Sequence, residues 1–134
     1  KDAGDRALAA LDEPGSTADQ LDGFLQQFDG AFWERTSASP YGDELLSAKA
    51  EYASEAVGVG MARVRRGLQS YLKRVGPSER SAAVANRRQG WLELLEFSPR
   101  GFKFDRPSVV VYRRRLTALA QSVAADIARA NRSR

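Results

Sequence analysis

Glu93 and Glu96 stand one helical turn apart. At that spacing two carboxylates can share a face and split their pKa values, provided they are buried together. Two Glu that flank Leu94 and Leu95 more commonly form a solvated edge. Asp43-Glu44 and Glu51-Glu55 have the look of di-metal carboxylates, but in a helical bundle that chemistry needs a Glu-x-x-His pair. The 134 residues include no His and no Cys. This excludes Ser-His and Cys-His relays, disulfides, the usual zinc ligand sets and His-held haem. The expectation is a protein that is not an enzyme and holds no cofactor.

The remaining residues able to do chemistry are basic. Arg63, Arg65 and Arg66 form one cluster, followed by Lys73 and Arg74. Arg87-Arg88 and Arg113-Arg114-Arg115 form two more, and Arg106 precedes the last segment. Guanidinium forks suit carboxylates and phosphates. Nucleic acid is one target through phosphate contact, although no short turn plus recognition helix accompanies the clusters. The net charge is +4, and it is unevenly placed. Residues 1–60 hold 4 Lys+Arg against 12 Asp+Glu, whereas residues 61–134 hold 17 against 5. Either the two halves fold against each other and cancel, or the basic half faces a partner.

The elements that position these residues read as helices. An Ala-rich segment, 5–12, forms two turns that fray. Ser16 or Thr17 caps the next helix, and Gln20 completes a capping-box pattern with Thr17. Leu21, Phe24, Leu25, Phe28 and Phe32 recur at helical spacing over 17–35, with Asp19, Asp22 and Asp29 off that face. Trp33 lies beside the stripe as a candidate surface anchor. Asp43 caps a rod of roughly 50 Å that ends at Gly76-Pro77. Leu45 and Tyr52 begin its stripe, and Val57, Met61, Val64, Leu68, Tyr71, Leu72 and Val75 continue it. Gly58, Gly60 and Gly67 either admit a bulky neighbour such as Trp33 or Trp91, or let the rod bend. Ser78 caps a helix carrying Val84, Trp91, Leu92 and Leu95, which Ser98-Pro99-Arg100-Gly101 breaks. Phe102–Arg106 reads as a short extended linker. The last helix opens near Pro107 with Val109, Tyr112, Leu116, Leu119, Val123 and Ile127 as its stripe. Val109-Val110-Val111 has strand character and could delay its start. The expectation is one all-α domain over 1–134: an up-down-up-down four-helix bundle with a short extra N-terminal helical segment.

Arg106-Pro107, then Arg113-Arg114-Arg115-Leu116 and Ile127-Ala128-Arg129-Ala130, resemble the last helix of the small extrinsic lumenal proteins of photosystem II. Met61-Ala62-Arg63-Val64-Arg65-Arg66 is similar to the end of that family's second helix. The chain departs from the pattern at Trp91 and Phe97, in the loop before Arg106 and in its extra first segment. Both the assembly-factor type and the PsbQ-like subunits stay open. The resemblance implies a non-catalytic extrinsic subunit or assembly factor in the plastid thylakoid lumen, supporting oxygen evolution. It would dock through Arg63, Arg65, Arg66, Arg106, Arg113, Arg114 and Arg115 on acidic lumenal loops of the core proteins, peripheral to the membrane. A chain that opens Lys1-Asp2 rather than with Met fits a processed protein or a trimmed one. The alternative is a basic helical adaptor, or a nucleic-acid-associated bundle protein, of the bacterial cytoplasm. Charge reversal at Arg113, Arg114 and Arg115 separates a binding face from internal pairing. A free face keeps its thermal midpoint and loses binding, whereas a paired one loses fold stability in a melting experiment.

Overall fold

The computed structural model describes residues 2–38 and 54–132, and the side chains of residues 2–37 and 60–132. The described residues are all-helical, with no strand. The order is α1 (Ala3–Ala10), α2 (Thr17–Leu25), a π-helical turn (Gln26–Gly30), α3 (Ala31–Ala38), α4 (Ser54–Val75), α5 (Ala82–Gly101) and α6 (Val109–Arg132). The π turn keeps right-handed helical dihedrals at both of its junctions, so α2 and α3 belong to one continuous rod. The Asp43 cap, Leu45, Tyr52 and the carboxylates at 43, 44 and 51 lie outside the described residues.

The rod from α2 to α3 packs on α6, α4 packs on α5, and α5 packs on α6. Leu21, Leu25, Leu72, Tyr112, Leu116 and Ile127 are among the residues sealed between them. Burial of this kind stabilises by roughly 1.5–3 kcal/mol per large apolar side chain. The first segment is a capped helix packed on the body of the protein. Asp2 caps α1 by accepting the Asp5 N–H at 2.8 Å, and Ala7 and Leu11 are buried. α1 lies against α2, the π turn and α4. Gly67 of α4 admits Leu8 of α1 where a Cβ would collide, while Gly60 faces open space. Neither Trp33 nor Trp91 uses these glycines.

Several boundaries differ from the sequence expectation. Ser16 is the N-cap of α2, accepting the Asp19 N–H at 3.1 Å. Gln20 donates to the Glu13 carbonyl at 2.7 Å and accepts from the buried Tyr71 hydroxyl at 2.7 Å. Ser81, not Ser78, caps α5 through the Val84 N–H at 3.1 Å. Pro99 does not break α5, which runs on to Gly101. Pro99 removes the one backbone bond that would reach back four residues, the last turn still closes with the Phe102 N–H on the Ser98 carbonyl at 3.2 Å, and the Pro99 carbonyl accepts the Tyr112 hydroxyl at 3.2 Å. Residues 102–106 form tight turns rather than an extended linker, with the Arg106 N–H donating to the Lys103 carbonyl at 2.9 Å. Arg106 takes a left-handed φ of 51°, a conformation that costs a non-glycine residue about 1 kcal/mol. Arg115 holds this turn, donating to the Phe102 carbonyl at 2.6 Å and to both Asp105 carboxylate oxygens at 2.7 and 2.9 Å. Ser108 then caps α6 by accepting the Val111 N–H at 3.2 Å, so the three valines start a helix despite their strand character.

Asp126 ties α5 to α6. It accepts two bonds from Arg87, at 2.8 and 3.1 Å, the Trp91 indole N–H at 2.7 Å and Arg129 at 3.1 Å. These donors, Arg87 first, hold its carboxyl well below the usual carboxylate range. A carboxylate of this kind contributes its stability above the unfolded value of 3.8 and loses it as pH falls below that. Asp126→Ala also leaves the Trp91 N–H without its acceptor. The expected loss is about 2–3 kcal/mol at neutral pH, read from urea unfolding followed by tryptophan fluorescence.

Candidate functional site: an apolar cleft with a charged lining

The π turn decides what the long rod presents. An inserted residue rotates everything after it by roughly a quarter turn relative to an unbroken α-helix. The apolar stripe of α2 therefore passes from Phe28 to Trp33 and Thr36, both buried, while Phe32 stays half-buried. Trp33 is not a surface anchor. It is 8% exposed, donates its indole N–H to the Pro107 carbonyl at 3.1 Å and meets the Tyr112 ring at 5.6 Å.

The turn is fastened to α6. Gln26 donates to the Arg113 carbonyl at 2.9 Å and to the Thr117 hydroxyl at 3.3 Å, and its own oxygen accepts from Arg113 at 2.7 Å. Gly30 makes room for that guanidinium, since a Cβ there would lie 2.8 Å from an Arg113 nitrogen.

The same rotation brings Asp29, expected off the apolar face, into a cleft of about 570 Å³. Residues of α1, the rod, α4 and α5 line it, and Phe28, Phe32, Met61, Leu68, Leu92 and Leu95 give it an apolar wall. The volume falls within the range of small-molecule sites, roughly 300–1,000 Å³. Two kinds of charge line the cleft. In the first, cations and acids satisfy each other. Arg63 pairs with Asp5 at 2.7 Å and Asp2 at 3.5 Å, and Arg65 pairs with Glu96.

In the second, the charges are not matched in contact. Arg35, Arg100 and Lys103 line the cleft with Asp29, and none of them forms a salt bridge among the described residues. Burial pushes the Asp29 carboxyl up to about 7, against the pull of Lys103 and Arg100. Burial likewise lowers Lys103, with Arg100 adding to the effect and Asp29 opposing it. The Lys103 ammonium sits 5.1 Å from the Phe32 ring centre and 5.8 Å from that of Tyr112, a cation–π seat. Burial, and then the Asp29 charge, raise the Tyr112 phenol above its usual range.

The basic clusters are largely spent inside the molecule. Besides Arg63 and Arg65, Arg113 reaches Glu34 at 3.1 Å, Arg115 holds Asp105 at 2.7 Å and Arg74 lies 3.4 Å from Asp12. Arg106 is exposed and is also engaged. Arg66 and Arg114 are exposed and have no ion pair among the described residues. The two halves of the chain thus partly cancel, and the seven arginines do not form one open face. Of the two glutamates that opened the analysis, Glu96 answers Arg65 and Glu93 accepts from Gln89 at 3.1 Å. They do not form a carboxylate pair.

No protein family, no curated protein and no solved structure matches the chain. Nothing among these comparisons identifies a photosystem II protein.

Asp29 gives the cleft a stability signature. Between about pH 4 and pH 7 the folded chain keeps a proton that the unfolded chain has released. Stability therefore falls as pH rises through that window and is flat above it. Asp29→Asn removes the fall and is more stable than the parent at pH 8 by on the order of 2–4 kcal/mol. Urea midpoints measured from pH 5 to pH 8 give the comparison.

Proposed function

We propose that this chain is a non-catalytic binding domain whose cleft takes an apolar molecule carrying one anionic head group. The carrying observation is the mismatch in the lining. Arg35, Arg100 and Lys103 face a cavity whose nearby acid, Asp29, is pushed up to about 7 by burial and so carries its proton below that pH. An anion placed there gains three cations at the edge of a low-dielectric wall. Its apolar body covers Phe28, Phe32, Leu68 and Leu92. A protonated Asp29 would donate a hydrogen bond to the head group, while an ionised one would repel it.

The architecture proposed for this role is the up-down-up-down bundle of the long rods, with α1 closing one side of the cleft. A docking role on photosystem II, as the resemblance implies, would have Arg66 and Arg114 as its outward cations, since Arg63, Arg65, Arg113 and Arg115 already face internal acids.

Two fluorescent probes of the same aromatic body test the ligand class. Anilinonaphthalene sulfonate carries a permanent negative charge, and N-phenylnaphthylamine carries none. The sulfonate is expected to bind about tenfold more tightly at pH 6. Its affinity should fall as pH rises through about 7. Arg100→Ser should remove most of the difference between the probes without weakening the neutral one, and Asp29→Asn should remove the pH dependence. Equal affinities for both probes in the parent protein would sink the proposal.

A further inference from the structure

The turn between α5 and α6 has a second, outward side. Phe104 at its tip is 92% exposed, Val110 in the first turn of α6 is 76% exposed, and Phe97 and Leu94 on α5 are each 48% exposed. These are the exposed large apolar side chains of the described residues, and all four lie on α5, its following turn and the start of α6. Three exposed cations lie on the same stretch, Arg100, Arg114 and Arg106, the last of them already engaged within the molecule. The Arg100 guanidinium lies 5.1 Å from the Phe97 ring centre, and Arg114 follows Val110 by one helical turn. Of the exposed acids of this stretch, one is neutralised and one keeps its charge against three cations. Asp105 is gripped by Arg115, and Glu93 accepts from Gln89.

We propose that this corner docks on the surface of an anionic lipid bilayer. The shape favours a bilayer over a protein. Phe104 and Val110 protrude singly from a turn and a helix start, so a rigid partner would need a separate pocket for each. A lipid interface yields around protruding apolar groups, and its head groups attract the flanking arginines. No helix among the described residues is long and apolar enough to cross a membrane, so the contact is a surface one. It shares Arg100 with the cleft, but Phe104, Val110 and Arg114, which the test changes, are absent from the cleft lining. It therefore does not depend on the proposed cleft ligand.

Co-sedimentation of the full chain with unilamellar vesicles is the test. One set is phosphatidylcholine alone, and the other contains about one-third phosphatidylglycerol, where each basic residue near the surface adds attraction. The protein is expected to pellet with the anionic vesicles at least about tenfold more strongly than with the neutral ones. Phe104→Ser and Val110→Ser together, and Arg114→Glu separately, should each cut that binding several-fold. Because these side chains are exposed, the thermal midpoint and the binding of the cleft probes should stay unchanged. Failure to pellet with anionic vesicles overturns the proposal, as does undiminished pelleting of the Ser variant. If the same substitutions instead abolish a concentration-dependent dimer in sedimentation velocity, the corner is a contact between copies of this chain and the lipid reading is wrong.

Discussion

The grip of Gln26 and Arg113 across Gly30 sets the orientation of the long rod. An unbroken α-helix over residues 17–38 would keep Phe32 in line with Phe28 and leave Trp33 at the edge. The wide turn removes that option. Once Gln26 is bonded to the Arg113 carbonyl and the Arg113 side chain returns to the Gln26 oxygen, the following segment must present Trp33 and Thr36 to the core. Asp29 then lines the cleft, half-buried, and its raised pKa follows from that placement. π turns are rare within α-helices, and here side-chain bonds to α6 hold the turn in place.

Electrostatics between the halves of the chain work in the same direction. Arg63 on Asp5, Arg113 on Glu34 and Arg74 near Asp12 each join the basic half to the acidic one. Exposed pairs of this kind contribute little individually, about 0–1 kcal/mol. Their effect is on arrangement, since they disfavour packings in which like charges meet. Asp126, whose partners all lie within the basic half, holds more firmly because they include an indole N–H on a buried side chain.

The helices, their apolar stripes and the absence of histidine and cysteine chemistry were legible from residue order. The stripe 21–24–25–28 predicts its helix, and the Val123–Ile127 end of α6 is buried as its spacing requires. The site was not legible. Asp29 reads as an off-face residue because a π turn has no compositional signature: Gln-Gln-Phe-Asp-Gly reads as ordinary helix, with Gly30 the one weak signal. Lys103 was hidden because Phe-Lys-Phe-Asp alternates like a strand, while the backbone folds it into consecutive turns. The arginine clusters showed the opposite failure. Their residue type is visible in the sequence, but whether each guanidinium is spent on an internal acid depends on distant pairings such as Arg65 with Glu96.

Lys103 and Phe104 are neighbours on one turn, the first lining the cleft and the second projecting away from the molecule. A single peptide unit joins an inner seat to an outer prow. Arg115 braces that turn through the Phe102 carbonyl and Asp105, so the two side chains leave one fixed frame in different directions, and a change at either is read at its own surface.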